Sequence, residues 1–222
     1  MGKLIVIEGI DGSGKSTQFR LLKDFLDRKS DVASKVLEFP RYSSSSSALI
    51  KMYLSGQFGD DPSSVNPYAA STFFTVDRYA SFMQDWKDFY DNGGVILTDR
   101  YTGSNAIHQG AKLSRDDRDE FFRWLGEFEF TYIGIPKPDI VFYMSICAEI
   151  AVRRLTERQR KTGEEADIHE RDFGHLKDSA ECGMQASAYY GWKNISCVTN
   201  GKERAELEIH QELCEEVTCL LR

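Results

Sequence analysis

Gly9-Ile10-Asp11-Gly12-Ser13-Gly14-Lys15-Ser16-Thr17 decides how this chain folds. An apolar run, Leu4-Ile5-Val6-Ile7, precedes it, and a segment with helical spacing, Gln18 to Leu26, follows. Strand, glycine-rich loop and helix thus stand in the order a phosphate-binding loop requires. Gly9, Gly14, Lys15 and Ser16 meet the spacing G-x-x-x-x-G-K-[ST]. Glycines let the backbone curl and aim its N–H groups at phosphate oxygens with no Cβ in the way. The helix N-terminus adds a partial positive charge behind them. Lys15 can reach β- and γ-phosphates, and the Ser16 hydroxyl can hold Mg²⁺. With glycine at about 7% of an average protein, the four fixed positions recur by chance in roughly one chain of this size in a hundred. The flanking strand and helix make an accidental match rarer still.

Outward from this loop, Lys3 to Glu8 forms the first strand, whose four consecutive apolar residues suit a parallel strand covered on both faces. Phe19, Leu22 and Leu26 recur at helical spacing, and Leu21 and Phe25 widen the stripe. Lys35 to Phe39 reads as a second strand, stopped by Pro40, which has no N–H for a ladder bond. Ser43 to Ser47 reads as a loop and helix cap. The spacing predicts one long helix from Asn66 to Asn92, with Ala69, Phe73, Val76, Ala80 and Met83 facing the core and Gly93-Gly94 ending it. Val95 to Thr98 is the third strand and delivers Asp99-Arg100-Tyr101 at its C-terminal end. Ser114 is placed to cap a helix from Arg115 to Phe128.

Ile140 to Met144 makes a fourth strand, and Glu149 to Arg160 a charged helix. Lys161 to His169 reads as a polar, mobile loop, followed by a helix from Arg171 to Tyr190. Ile195 to Val198 is the fifth strand, and Leu207, His210, Leu213, Val217 and Leu220 mark a closing amphipathic helix. Strands alternating with helices imply an α/β fold: a doubly wound, five-stranded parallel sheet flanked by helices, as a single domain over residues 1–222. Ligands of such sheets bind at the carboxyl ends of the strands. Gly9 to Ser16, Arg41, Asp99 and Arg100 all follow strand ends, so they should meet in one crevice.

Composition narrows the function. A net charge of −7 disfavours polymeric DNA or RNA as a partner. No apolar run approaches the roughly 18 residues of a membrane helix, so no membrane association is expected. The chain enters strand and loop at once, which leaves no room for a signal peptide. Its five cysteines show no C-x-x-C pair and no ligand spacing with histidine, which fits a reducing cytoplasm rather than a zinc site.

Other residues suit phosphate chemistry. Asp99 stands where a second acidic group can help hold Mg²⁺, although a helix cap would also explain it. Arg100 can grip phosphate oxygens with its planar fork or form a surface salt bridge. Phe74 and Arg78, four apart, share a helix face and could stack on a base and bond its edge; a core ring and a surface arginine is the plainer alternative. Arg153, Arg154, Arg158 and Arg160 make either a solvated helix face or a lid whose arginines close on a transferring phosphoryl group. A switch GTPase is disfavoured, because Asn200-Gly201-Lys202-Glu203 does not match N-K-x-D and Asp99 to Gly103 is one residue too long for D-x-x-G.

Taken in order, Glu8 to Thr17, Phe39-Pro40-Arg41-Tyr42, Phe74 with Asp77-Arg78-Tyr79, Asp99-Arg100-Tyr101 and Pro136-Lys137-Pro138-Asp139 resemble the thymidylate kinases, which are P-loop nucleoside monophosphate kinases. The resemblance spans the chain and implies transfer of the γ-phosphoryl group of ATP to dTMP, with Mg²⁺ held by Ser16 and Asp99. It implies ATP binding by Gly9, Ile10, Asp11, Gly12, Ser13, Gly14, Lys15, Ser16 and Thr17. For dTMP it implies stacking on Phe74, an edge bond from Arg78, and a pocket shared by Ser104 and Asn105. His108 joins them, where an aromatic ring is common and a ribose 2′-hydroxyl is judged. Asp11 would sit near the deoxyribose and the acceptor phosphate, which Arg41 and Arg100 would orient, with Phe39 and Tyr42 nearby. Homodimers are usual in the family. Gly12 and Ser13 replace the loop arginine of some members, so Lys15, Asp11, Arg41 and Arg100 would be joined in catalysis by the lid (residues 153–170) through Arg154, Arg158 and Arg160. Asp167-Ile168-His169-Glu170 lacks the arginine that often ends this lid.

The chemistry agrees with a phosphate acceptor. A phosphate monoester has its second pKa near 6, so its oxygen is largely ionised at neutral pH and needs no strong base. Cations must instead bring two anions together. A kinase of another pyrimidine nucleotide or of a deoxynucleoside is the alternative within enzymes. A regulatory nucleotide-binding protein without a small acceptor is the alternative outside them, and it leaves Arg41 and the lid arginines without a task.

Overall fold

The computed structural model describes residues 1–162 and 172–222. Of the loop expected from Lys161 to His169, Lys161 and Thr162 are helical, and residues 163–169, like the rest of Asp167-Ile168-His169-Glu170, lie outside the described residues. Five parallel strands form one sheet: β1 (Lys3–Glu8), β2 (Ser34–Glu38), β3 (Val95–Asp99), β4 (Ile140–Ser145) and β5 (Lys193–Ser196), in the order β2-β3-β1-β4-β5. β1 is central and pairs Ile7 with Asp99 on one side and with Phe142 on the other. Leu4, Ile5, Val6 and Ile7 are fully buried, because helices cover both faces. The two-residue period still sorts them. Leu4 and Val6 pack with Phe82, Trp86 and Tyr90, whereas Ile5 and Ile7 pack with Phe19, Leu22 and Leu213. Strand order reverses beside β1, so the glycine-rich loop opens at the switch point where such sheets take ligands.

The helices are α1 (Lys15–Asp27), α2 (Ala48–Leu54), α3 (Pro67–Ser81), α4 (Lys87–Asp91), α5 (Thr102–His108), α6 (Arg118–Gly126), α7 (Ala148–Thr162), α8 (Phe173–Tyr190) and α9 (Glu206–Leu220). π-helical segments at Phe82–Trp86 and Glu127–Ile133 join α3 to α4 and extend α6. Among the described residues no helix is long and apolar enough to cross a membrane.

Several expectations change. The 66–92 helix is continuous but wider through its π-helical turn. Its supposed core stripe is wrong: Val76 and Met83 are 54% and 49% exposed. The buried face carries Ala70, Ser71, Thr75, Arg78 and Ser81, polar because it looks toward the site rather than the hydrophobic core. Helix α5 was not legible from a seven-residue stretch containing Thr102 and Gly103, both poor helix formers. Among the described residues Ser114 caps no helix. Its hydroxyl donates to Asp117 Oδ2 at 2.6 Å, and α6 starts later than expected, at Arg118. The fifth strand begins at Lys193, and Val198 belongs to a small antiparallel hairpin with Glu203. Leu207 is 71% exposed in the first turn of α9, while Leu213 and Val217 carry the buried face.

Candidate active site

The loop after β1 curls because its glycines allow it. Gly12 has φ 80°, and a Cβ there would lie 2.5 Å from the Ala151 carbonyl oxygen. Lys15, in the first turn of α1, is buried and donates to the Ile10 carbonyl at 2.8 Å, with Asp11 Oδ1 at 3.8 Å. Burial, and then the Arg100 charge, lower its pKa, while Asp11 and Asp99 oppose them. Ser16 Oγ donates to Asp99 Oδ2 at 3.3 Å. Asp99 Oδ1 is buried with no hydrogen-bond partner among the described residues. Mg²⁺ prefers a few protein oxygens completed by water and phosphates, so this pair fits it.

Arg100 follows β3 with φ 68°, a left-handed conformation uncommon outside glycine. Its backbone N–H donates to Ile7 O at 3.0 Å, and its guanidinium reaches Asp11 Oδ1, Ser104 Oγ at 3.3 Å and His108 Nε2 at 3.2 Å. A guanidinium cannot accept, so His108 Nε2 must, and the neutral ring carries its proton on Nδ1. Burial, reinforced by Arg100, holds the His108 pKa well below the ordinary imidazole value. Burial works against the Arg100 charge, yet Asp11, Asp99 and Glu8 raise its pKa further.

Glu8 closes β1 with its carboxylate buried under α5. Oε1 accepts from Tyr101 N at 2.7 Å and Ser104 N at 2.9 Å, and Oε2 accepts from Ser104 Oγ at 2.6 Å. Burial lifts its pKa to about 7 even against these bonds and the nearby cations.

Two cavities open along the strand ends. The smaller, about 180 Å³, is walled by Phe39, Tyr42 and Phe74, with Arg78, Ser104, Asn105 and His108 offering polar atoms. The larger, about 930 Å³, follows the loop from Asp11 to Thr17 and includes Asp99, Arg154 and Arg158. Asp11 and Arg100 line both. Arg154 Nη1 donates to Gly12 O at 3.2 Å and Ser13 O at 3.1 Å, and its Nε donates to Glu203 Oε2 at 2.9 Å.

Not every expected residue meets the rest. Gly9 and Ile10 line neither cavity; Ile10 is buried and serves through its carbonyl. Arg41 turns its guanidinium to Asp85 outside both cavities, and Arg160 lines neither.

Three carboxylates have roles that the sequence reading did not assign, although Glu8 and Asp77 stand within the quoted motifs. Glu8 looked like the end of a strand. Asp77 accepts from Arg41 N at 2.8 Å and Ser46 Oγ at 2.5 Å, tying the 40–46 loop to α3. Glu129, fully buried, pairs with Arg78, whose Nε lies 2.8 Å from Oε2. Its one signal was an acid set between Phe128 and Phe130.

A family model described as thymidylate kinase matches residues 7–209. Thymidylate kinase from Mycobacterium tuberculosis is 38% identical over 193 residues, covering 85% of this chain and 87% of that one. The Caenorhabditis elegans enzyme of the same name is 32% identical over 161 residues, covering 69% and 67%. The solved structure of thymidylate kinase from Candida albicans superposes with a TM-score of 0.69 at 22% identity, over 98% of this chain and 92% of that one, a likeness of fold.

Proposed function

The chain belongs to the thymidylate kinase family, and from that premise we propose how its residues divide the work. As a family member it is an ATP-dependent kinase that phosphorylates dTMP to dTDP. In our reading ATP lies in the larger cavity along the glycine-rich loop, and dTMP enters the smaller one with its base against Phe74. The observation that carries this is the meeting of the two cavities at Asp11 and Arg100. Donor and acceptor phosphates brought there would lie on either side of one partly buried guanidinium.

Arg100 then exchanges its contact with Asp11 for acceptor phosphate oxygens, and Lys15 exchanges the Ile10 carbonyl for those of ATP. Each cation is held in place beforehand, so little reorganisation is needed as charge develops. Ser16 and Asp99 would hold Mg²⁺, which when bound supplies charge neutralisation between the phosphates. Arg154 and Arg158 supply further positive charge from α7, with Arg160 farther along the same helix. Arg41 contributes after leaving Asp85. Val76 and Tyr79 on α3, with Met83 on the π-helical turn that follows, form an exposed apolar stripe, which supports a homodimer assembled through that surface. The five unpaired thiols suit the reducing cytoplasm.

The test is ADP formation from ATP and Mg²⁺ with dTMP, dUMP, dCMP, dGMP or AMP supplied separately. Turnover should be strongest with dTMP, and Lys15→Ala and Arg100→Ala should each lower kcat by roughly 100- to 1000-fold, the range seen when one charge-stabilising donor is lost. Unchanged kcat in Arg100→Ala would refute the shared-phosphate role.

A further inference from the structure

Glu129 lines neither cavity, yet it organises the polar edge of the smaller one. Its Oε1 accepts from Thr75 Oγ1 at 2.9 Å, from Asn105 Nδ2 at 3.3 Å and from Arg78 Nη2. Its Oε2 accepts from Arg78 Nε at 2.8 Å and Thr102 Oγ1 at 2.6 Å. Two helices, α3 and α5, are thus fastened to one carboxylate on the π-helical segment. Buried ion pairs are poor contributors to stability, because desolvation offsets their attraction. Orientation is what this one supplies.

Two side chains have their polarity set by it. Arg78 spends Nε and Nη2 on the carboxylate, which fixes the guanidinium plane. Nη1 is left with a long 3.4 Å contact to Tyr101 O, on a side chain that lines the cavity. Asn105 Nδ2 points at two acceptors, Ser71 O at 3.2 Å and Glu129 Oε1. Flipping that amide would set its oxygen against a carboxylate, so Oδ1 is the atom left for a ligand. The cavity edge therefore offers a donor from Arg78 beside an acceptor from Asn105.

We infer that Glu129 is a specificity-determining positioning residue, which makes the base site complementary to a pyrimidine with a C4 carbonyl and an N3–H. Cytosine presents the opposite pair, a 4-amino donor and a bare N3 acceptor, and mismatches at both positions. The inference rests on the base-pocket reading above, and it assigns the discrimination to a residue that never touches the nucleotide.

The experiment measures kcat and KM for dTMP and dCMP, and KM for ATP, in the wild-type protein and Glu129→Gln. A neutral amide loosens the Arg78 fork and lets Asn105 turn over. The dTMP KM should rise about tenfold or more and the dTMP-to-dCMP ratio of kcat/KM should fall about tenfold or more, because unpaired polar groups in such sites dominate selectivity. The dTMP kcat should stay within about threefold and the ATP KM unchanged, the pattern of lost positioning rather than lost chemistry. Should Glu129→Gln fail to fold, Thr75→Val and Thr102→Val each remove one hydroxyl from Glu129 while keeping its charge, and neither residue lines the base cavity. Each should lower the dTMP-to-dCMP ratio by about threefold or more. A drop in kcat with an unchanged ratio, or an unchanged ratio in both threonine variants, overturns the inference. Phe74→Ala and Arg78→Ala, run alongside, separate the two readings. If they leave the dTMP KM unchanged, the base pocket itself is misassigned and the inference falls with it. If they raise it while the ratio in the Glu129 and threonine variants stays fixed, only the role of Glu129 is lost.

Discussion

Replacing Glu8 with glutamine should stabilise the protein, and only above mildly acidic pH. The carboxylate is fully buried, and its pKa rises from an ordinary 4.5 to about 7 because burial disfavours the charged form. Below pH 4.5 the group is protonated whether the chain is folded or not, and it costs nothing. Between 4.5 and 7 the unfolded chain releases the proton while the folded one keeps it, so stability falls as pH rises. Above 7 the folded state carries the full penalty. A proton held across that interval amounts to about 3 kcal/mol at ~1.4 kcal/mol per pH unit. Glutamine has nearly the same shape. Its oxygen can accept from Tyr101 N and Ser104 N as Oε1 does, and its amide can donate to the Ser104 hydroxyl. The advantage of Glu8→Gln over wild type should therefore grow by about 2–3 kcal/mol between pH 5 and pH 8. Urea unfolding midpoints at fixed protein concentration, taken across that range for both proteins, measure it. A stability difference that stays constant with pH would refute the reasoning, since a structural effect of the substitution would not titrate.

Gly12→Ala combines a φ of 80° with a Cβ only 2.5 Å from the Ala151 carbonyl, so it should push the loop off α7. ATP affinity by titration calorimetry should fall about tenfold or more, with dTMP affinity little changed, in keeping with a cost of about 1–3 kcal/mol for strained backbone. Val76→Asp with Met83→Asp places charges on the exposed stripe of α3 and the π-helical turn after it. Sedimentation velocity should show a dimer for the unaltered protein and a monomer for the double variant, and a dimer surviving both changes would remove this stripe from the interface.

The architecture was legible because the glycine-rich loop leaves few options: a buried strand before it, a helix after it, and ligands at the strand ends. Apolar runs marked all five strands to within about two residues, the ordinary uncertainty of element ends. The α3 stripe misled for a physical reason. Periodicity reports that a face is apolar, not what covers it, and here the interior belongs to the polar residues Ser71, Thr75 and Arg78. Most of the expected nucleotide-contact residues line one of the two cavities, since their chemical types are distinctive in themselves. The roles of Glu8, Asp77 and Glu129 were not legible, because each acts through contacts with distant parts of the chain that local spacing does not reveal. Arg41 differs from the others. Its position in the chain was readable, but its rotamer is set by Asp85 on another element.

The π-helical turn that carries Glu129 gives chain length a meaning of its own. Residues before it are anchored by Phe121, Phe122 and Leu125 in the core, and residues after it by Ile135. Successive residues of an α-helix are offset by about 100° around its axis. Deleting one residue between these anchors would absorb the wide turn and carry a neighbouring side chain into the place of the carboxylate. A chain shortened by one residue here should therefore lose the bonds from Glu129 to Arg78 and Asn105 while every residue that lines the smaller cavity stays the same.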